Sequence, residues 1–498
     1  MLQSERLNME KKNPAKQEKT LKSRYLSFAM AAAAYMLIAY LPAGDQVLVI
    51  DQAVLSDVGR RALGVLVFCL VLWVREPVPF HVTGFIGMLL MLFLKVESFG
   101  DLVKQGFGNE TVVFFIGVLT LSAVVTRTGL GKRISVYILS RTGNSTSRIL
   151  MGFLLVGTLL SMWMTDMAVA AILMPLAVTI LREEGVRPGE SSFGKALLIA
   201  CAWGPIIGGI GTPAGAGPNP LAIGFISDIA GIDISFTDWM VYGVPCALLL
   251  VVPSWAVLML FFKPEMSHLK RTKEDMKEDL RKLPPMGRDE KHTVLVFLVT
   301  VFLWVSSGWV SSIMGVKIST CVPAILCLCL FYLPGVISIS WKEVQADISW
   351  DGILLIASGI SLGLAVYHAG AAQWLALLLL KGVVGMPALV RIFLIILVIS
   401  FLKVGLSSNT VTASIIVPIM IVLATTYQLP MMGIVIPACL TLSLAFILVT
   451  STPTSVIPYS AGYFTIGDMA KAGTVLTLVT CVILAGAIYG IGCMTGIY

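Results

Sequence analysis

The chain has 498 residues, of which 57% are hydrophobic and 13% are charged, and its formal net charge is +7. So few charges exclude a soluble globular protein of this size, and apolar stretches of helix length, broken by Gly and Pro, exclude a membrane β-barrel. The composition therefore predicts an all-α polytopic membrane protein. The nine cysteines lie in or beside apolar runs, and their spacing predicts no metal site.

The first 24 residues are polar, with seven Lys/Arg against three Glu, and no small-residue cleavage site follows them. We therefore predict a cytoplasmic tail (1–24) and, within the segment 25–59, an uncleaved first helix from about Tyr25 to Leu41. A second hydrophilic stretch, 263–292, has nine Lys/Arg and seven Asp/Glu. It is predicted to be a cytoplasmic linker with a short amphipathic helix.

Five further spanning elements are predicted between the first helix and this linker. Two cytoplasmic ends require an even number of crossings, and the first helix together with these five gives six. The apolar segment left over, about 148–183, must then enter and leave on one side as a re-entrant hairpin. The five spanning elements cover about 60–74, 79–96, 112–142, 193–230 and 240–262.

The second half of the chain repeats this series. The sequence therefore divides into two repeats, 60–262 and 293–498, with about 11 transmembrane helices in total. Because each repeat has an odd number of crossings, the second is inverted relative to the first, as in many secondary transporters, and the C-terminus is expected outside. The predicted crossings of the second repeat cover about 293–312, 317–334, 351–384, 429–463 and 468–492, with a second re-entrant hairpin at about 389–427.

Two polar interruptions 243 residues apart mark the tips of the two hairpins. Thr165-Asp166-Met167-Ala168 lies in the first hairpin and Ser408-Asn409-Thr410-Val411 in the second. A second pair of motifs, Gly211-Thr212-Pro213 and Ser451-Thr452-Pro453, is offset by 240 residues. In so apolar a chain, duplicated interruptions of this kind indicate where a membrane transporter holds its substrate.

The tips have a specific chemistry. Each turns inside the membrane, so the N–H groups that start the next half-helix need a partner other than lipid. Such helix N-termini favour an anion, while carbonyls and hydroxyls suit a small cation, and two tips meeting from opposite sides fit a dicarboxylate. The alternative is that Ser408, Asn409 and Thr410 only cap a broken helix. The second pair of motifs is predicted to be unwound beside the same cavity.

These motifs and their order resemble those of the divalent anion/sodium symporter family, which includes the INDY-type dicarboxylate and citrate transporters. The resemblance extends from about Leu63 to Met494. Besides the tips and the loops, it rests on Glu76-Pro77-Val78-Pro79, Gly108-Asn109-Glu110 and Ser161-Met162-Trp163.

The resemblance implies a homodimer in the lipid bilayer, an elevator-type movement of a transport domain against a scaffold, and transport of C4 to C6 dicarboxylates. It also implies sodium sites beside the tips, whose equivalents here are Ser161, Asp166, Val404, Ser407 and Asn409. The implied substrate-binding residues are Thr165, Asp166, Met167, Gly211, Thr212, Pro213, Ser408, Asn409, Thr410, Ser451, Thr452 and Pro453.

Three departures from the family pattern bear on the coupling of transport. The first tip, Thr165-Asp166-Met167, has a carboxylate where the family has an amide and lacks the second hydroxyl. Val404 stands in place of a hydroxyl that would bind sodium. The loop after Pro453 has Thr454-Ser455 where the family usually has Pro-Asn.

An ionised Asp166 beside a dicarboxylate would repel it, so this carboxylate needs a fixed cation, a bound cation or a proton. Lys403 is the first candidate for a fixed positive charge, and His368 and His81 are weaker candidates. The alternative for Lys403 is a snorkelling side chain near a helix end, and for the histidines a satisfied interior or interfacial side chain.

The function predicted from these departures is sodium-independent exchange of dicarboxylates such as 2-oxoglutarate, malate and succinate. With built-in positive charges, the empty site is costly to carry across the membrane, so only the loaded carrier moves easily. The alternative is a sodium-coupled symporter of dicarboxylates, citrate or sulfate. We expect no cofactor, no nucleic-acid partner and no enzymatic activity, because catalytic groups at membrane depth are few. The expected location is the plasma membrane.

Overall fold

A computed structural model describes residues 14–40, 49–50, 53–270, 273–316, 318–406 and 408–498. The helices before the linker are α1 Pro14–Tyr40, α2 Asp57–Arg75, α3 Phe80–Phe93, α4 Phe99–Phe107, α5 Glu110–Arg127, α6 Leu130–Leu139, α7 Thr146–Ser161, α8 Asp166–Glu183, α9 Ser192–Gly209, α10 Pro218–Ala230 and α11 Phe236–Phe261. The helices that follow are α12 Lys273–Lys282, α13 Arg288–Met314, α14 Cys321–Phe331, α15 Trp341–Asp347, α16 Trp350–His368, α17 Ala371–Val384, α18 Ala388–Leu402, α19 Asn409–Thr426, α20 Met431–Ser443, α21 Pro453–Tyr459 and α22 Ile466–Met494.

The predicted all-α membrane fold is confirmed. Within the described ranges, eight helices are long and apolar enough to cross a membrane. That number does not test the predicted total of about 11, because several predicted crossings are divided into two shorter helices and others carry charges at their ends. The count of crossings stays a prediction.

The structure differs from the sequence-based expectations at two places. The first helix begins at Pro14 rather than near Tyr25. The polar residues before the apolar run are good helix formers, so they extend the helix on its N-terminal side. No strand was predicted, but Val49–Ile50 and Ala53–Val54 pair as a short antiparallel ladder. Residues 1–13 of the predicted tail lie outside the described part of the chain.

The two halves contain matching elements in the same order, from α2 to α11 and from α13 to α22. The short helices α4 and α15, which the sequence did not predict, occupy equivalent places before the long helices α5 and α16. Each predicted crossing at 112–142 and 351–384 is in fact two helices. They part at Gly129 (φ 80°) and Gly370 (φ 74°), in the left-handed conformation that only Gly adopts readily.

The long helices α5 and α16 run antiparallel. Arg127, at the end of α5, contacts the Asp347 carboxylate just before α16 begins, with 2.5 Å between Nε and Oδ2. His368, at the end of α16, lies with Nδ1 3.3 Å from Oε1 of Glu97, just before α4. Since α4 leads into α5, each helix ends where the other one starts.

Both ends of the α7–α8 pair lie at one face of the molecule. The Leu269 N–H donates to the Asn144 carbonyl ahead of α7 at 2.8 Å. The Lys270 N–H donates to the Glu184 carboxylate, just after α8, at 2.9 Å. Because one short segment after α11 holds both ends, the pair enters and leaves on the same side. We call this side the linker face, since residues 263–292 begin there.

Glycine allows the first hairpin to pack closely on α9. A Cβ at Gly208 would collide with the Thr158 backbone, and a Cβ at Gly157 would lie 2.7 Å from the Pro205 ring. The Thr158 hydroxyl donates to the Gly204 carbonyl at 3.2 Å. This contact holds the hairpin against the helix that leads into the first predicted unwound stretch.

Candidate substrate site

The first tip lies between α7 and α8, where Thr165 caps the start of α8. Its hydroxyl accepts a hydrogen bond from the Ala168 N–H at 3.4 Å. The Asp166 carboxylate accepts one from the Met167 N–H at 2.8 Å. The Thr165 N–H donates to the Ser122 hydroxyl of α5 at 3.3 Å. Sequence reasoning missed Ser122, because it lies inside an apolar run with no local signal.

The second tip lies between α18 and α19, where the Ser408 hydroxyl accepts a hydrogen bond from the N–H three residues later at 3.3 Å. The Asn409 amide donates to the Ser443 carbonyl of α20 at 3.4 Å. The Thr410 hydroxyl faces Gly217 of the first half, where an added Cβ would lie 2.9 Å from it. The second tip therefore meets the loop that follows α9.

That loop, residues 210–217, is named loop 1 and lies between α9 and α10, so the predicted crossing at 193–230 is interrupted at the stretch that was predicted to be unwound. The Thr212 hydroxyl donates to the Met162 carbonyl at the end of the first hairpin helix. A Cβ at Gly211 would lie 2.7 Å from Cγ of Met162. Loop 1 is therefore packed against the approach to the first tip.

Asn219, at the start of α10, holds loop 1 to the second tip. Its fully buried amide donates to the carbonyls of Gly209 and Thr212, each at 2.7 Å. Its Oδ1 accepts a hydrogen bond from the Ser443 hydroxyl at 3.5 Å, and Ser443 also bonds Asn409. Loop 1 thus contacts both tips. Asn219 was not among the site residues predicted from the sequence.

The corresponding stretch of the second half, residues 444–452, is named loop 2 and leads into α21 at Pro453. The predicted crossing at 429–463 is therefore interrupted as well. The Thr452 hydroxyl accepts a hydrogen bond from the Thr454 N–H at 3.3 Å, while Ser451 is buried beside it. Thr454, directly after loop 2 in α21, lies close enough to the Asp166 carboxylate to interact with it. The end of loop 2 therefore lies near the first tip, as loop 1 lies near the second.

The Asp166 carboxylate lies in the field of the Lys403 ammonium. Lys403 sits in the 3₁₀ turn Lys403–Gly405 before the second tip and is only 3% exposed. Its Nζ has no hydrogen-bond partner in the described part of the chain, and the two groups form no direct salt bridge there. Lys403 and Asp166 are therefore within electrostatic range of each other, and the role of Lys403 as a fixed positive charge stays a prediction.

Two oxygen atoms beside the tips are buried without a hydrogen-bond partner among the described residues. One is the Ser161 hydroxyl at the end of α7, and the other is Oδ1 of Asn409. Both residues are among the predicted sodium-site equivalents. Val404 supplies no side-chain oxygen, and Ser407 lies outside the described residues.

The two histidines are not brought to the tips. His368 is 49% exposed and faces Glu97, and His81 faces Asp351 at 3.5 Å between Nδ1 and Oδ1. Both contacts join ends of helices rather than parts of the hairpins. The placement of His368 therefore does not support its expected role as a positive charge for the site.

A cavity of about 840 Å³ lies between α4, α5, α10, α13 and α14 and reaches Pro213 of loop 1. Its lining includes Asp101, Lys104, Asp228 and His368. It is large enough for a small organic molecule. Loop 1 is therefore next to an open space on the side of the molecule that carries α4.

Paired broken helices, two hairpin tips and a cavity that reaches loop 1 define a membrane transporter rather than an enzyme. The chain belongs to the family described as the sodium:sulfate symporter transmembrane region, whose model matches residues 22–496.

The chain is similar to proteins from two staphylococci. The chain is 28% identical over 452 residues to the sodium-dependent dicarboxylate transporter SdcS of Staphylococcus saprophyticus, covering 87% of this chain and 86% of that one. It is 26% identical over 450 residues to the protein of the same name from Staphylococcus aureus strain USA300, covering 86% and 85%.

Solved structures share the fold at low sequence identity. The Alcanivorax borkumensis YdaH transporter matches with a TM-score of 0.53 and 13% identity, over 80% of this chain and 88% of that one. MtrF of Neisseria gonorrhoeae matches with a TM-score of 0.53 and 15% identity, over 94% of each chain. These likenesses support the transporter fold alone.

Proposed function

We propose that the protein is a secondary transporter of dicarboxylates and that it couples their movement to sodium. The observation that carries this proposal is the joining of two hairpin tips by loop 1, through Thr212 on one side and Asn219 on the other. The names of the two staphylococcal relatives support both the substrate class and the ion. Sodium coupling thus replaces sodium-independent exchange as the leading hypothesis.

The anion is proposed to bind between the starts of α8 and α19. Each helix N-terminus carries unpaired N–H groups and a partial positive charge, which suits one carboxylate of the substrate. Thr165 and Ser408 cap these helices. The remaining tip residues and the Thr-Pro loops, as predicted from the sequence, complete the proposed substrate site.

Sodium is proposed to bind as a co-transported substrate beside the tips. Small hard cations prefer oxygen ligands, and unwound backbone and helix ends supply them in transporters. The buried oxygens of Ser161 and Asn409 have no hydrogen-bond partner among the described residues, and Asp166 adds a carboxylate at the first tip. A cation bound at each tip would satisfy the oxygen there, and the one at the first tip would reduce the repulsion between Asp166 and the substrate.

Exchange without sodium is the second candidate, and Lys403 is the observation that favours it. A buried ammonium acting on Asp166 would take the place of one bound cation. The empty carrier would then keep a charge in the membrane, which is costly. Val404 favours this candidate too, because it provides no side-chain ligand for an ion.

Proteoliposomes distinguish the two candidates. For the sodium-coupled transporter, labelled succinate should accumulate in empty vesicles only when an inward sodium gradient is imposed, with a potassium gradient as the control. For the exchanger, uptake should require internal dicarboxylate and should ignore sodium. If the vesicles take up labelled sulfate and no dicarboxylate, the proposed substrate class is wrong.

We also propose the arrangement of the transporter in the membrane. It comprises two inverted repeats, 60–262 and 293–498, in a homodimer that works by an elevator movement in the cell membrane. The N-terminus and the linker are placed in the cytoplasm and the C-terminus outside. The antiparallel course of α5 and α16, joined through Arg127–Asp347 and His368–Glu97, supports the inversion.

A further inference from the structure

A second cavity, of about 720 Å³, lies at the C-terminal end of α8, which is the end away from the first tip. Its walls are the last turns of α8, the turn after it, and the segment that follows α21. The residues that give it its chemical character are Met174, Val178, Arg182, Arg187, Ser460 and Tyr463. No carboxylate is among its lining residues, all of which lie in described segments.

Both arginines lack a partner within the described chain. Neither guanidinium has an ion pair or a side-chain hydrogen bond there. Of the neighbouring acids, Glu184 accepts a hydrogen bond from the Lys270 N–H, and Glu183 also has an interaction of its own. Arg182 lies in the last turn of α8, where a cation complements the helix dipole. Arg187 lies beyond the helix end, so the helix dipole does not explain a positive charge at that position.

The cavity changes from apolar to cationic along α8. Met174, Val178 and Arg182 are spaced four residues apart, so they form one stripe on the same helix face. The apolar pair lies towards the middle of the hairpin, and Arg182 lies at its end on the linker face. A ligand that fits this order has an apolar chain and an anionic head.

We propose that this cavity binds an anionic phospholipid. The phosphate would lie between Arg182 and Arg187, because guanidinium groups bind phosphate in a bidentate manner. One acyl chain would lie along Met174 and Val178. The linker face is proposed to be cytoplasmic, where anionic lipids are concentrated and basic pockets between helices bind their head groups.

The lipid would join the two elements that also meet at the first tip. α8 begins at Asp166 and packs against α21, and the cavity lies between the end of α8 and Ser460, directly after α21. Occupancy therefore stabilises the α8–α21 pair as a unit. This is a binding property, so it is measured without transport and does not depend on the proposed substrate.

Thermal unfolding of the delipidated full-length protein in detergent tests the proposal. Phosphatidylglycerol should raise the Tm by several degrees, while phosphatidylcholine with the same acyl chains and inorganic phosphate should not. The double variant R182Q/R187Q should lose this shift. The control R141Q/K282Q removes two positive charges outside the cavity, and it should retain the full shift.

Three results would overturn the proposal. An equal shift with inorganic phosphate alone would mean a free-anion site, and an equal shift with phosphatidylcholine would mean a lipid effect without charge recognition. A full Tm shift in R182Q/R187Q would show that the two arginines do not bind the lipid. Should the double variant fail to fold, the single variants R182Q and R187Q apply the same criterion, each with a reduced shift. Native mass spectrometry of the wild-type protein should show phosphatidylglycerol retained in preference to phosphatidylcholine.

Discussion

At the scale of single residues, Asn219 connects loop 1 with the second tip. In Asn219→Ala, the carbonyls of Gly209 and Thr212 lose their buried donor, which costs about 1–3 kcal/mol for each unpaired group. We expect a lower Tm and a loss of substrate binding, measured by thermal unfolding and by binding of labelled succinate. Ser443→Ala is the matched comparison for stability, because it removes only the 3.5 Å contact to the second tip and leaves both carbonyls paired. Its Tm should stay near that of the wild type, and an equal fall in Tm in the two variants would contradict this role of Asn219.

The Asp166 and Lys403 charges are expected to be energetically coupled. Lys403→Met leaves Asp166 without the nearby cation, and Asp166→Asn leaves a buried ammonium without its balancing charge. Each single variant should therefore be less stable than the wild type, and the double variant should recover part of the loss. A double-mutant cycle of unfolding free energies should give a coupling of roughly 0.5–3 kcal/mol. Strict additivity would show that Lys403 does not balance Asp166.

The sequence predicted the site residues whose signals are local or repeated. Thr165 and Ser408 were found because each caps a helix at an interruption that occurs twice. Asn219, Ser122 and Ser443 were missed, because their hydrogen bonds join residues far apart in the chain. Asn219 and Ser443, for example, are separated by 224 positions, and nothing near either residue indicates the other.

At the scale of elements, two glycines separate helices that the sequence predicted to be continuous. Gly129 has φ 80° and open space around its Cα, so Gly129→Ala tests the backbone conformation without a steric clash. We expect a loss of about 1–2 kcal/mol from the left-handed conformation alone. Gly100→Ala is the control, because Gly100 lies exposed in α4 with negative φ. The measurement is the Tm of each variant, and equal values would contradict the expectation.

The long apolar elements were predicted well, and the short ones were not. Hydropathy locates α11, α13 and α22 because each is a run of apolar residues longer than a membrane span. The short helices α4 and α15 have few residues and polar faces, so their hydropathy does not distinguish them from the neighbouring loops. Breaks such as the one at Gly370 depend on a single φ angle, which hydropathy does not report.

At the scale of the whole molecule, the inverted arrangement predicts that equivalent positions face opposite sides of the membrane. Lys132 follows Gly129 by three residues, and Gln373 follows Gly370 by three. Both side chains are exposed. Lys132→Cys should react with a membrane-impermeant maleimide only after cells are permeabilised, whereas Gln373→Cys should react in intact cells.

This labelling requires a background without reactive native thiols. Cys329 and Cys493 are the exposed cysteines of the described chain and are replaced by Ala first. That background protein, which should show no labelling, is the control. Reaction of both introduced cysteines from the same side would exclude the inverted arrangement while leaving the transporter family unchanged.

Loop 1 makes the two tips thermodynamically interdependent. It contacts the end of α7 through Thr212 and the second tip through Asn219 and Ser443. A solute that binds at one tip and orders loop 1 also favours the conformation of loop 1 in which the other tip binds its own solute. Linkage then requires reciprocity: if sodium at one tip strengthens binding of the anion, the anion strengthens binding of sodium by the same factor. Saturation curves for either solute would therefore shift with the concentration of the other.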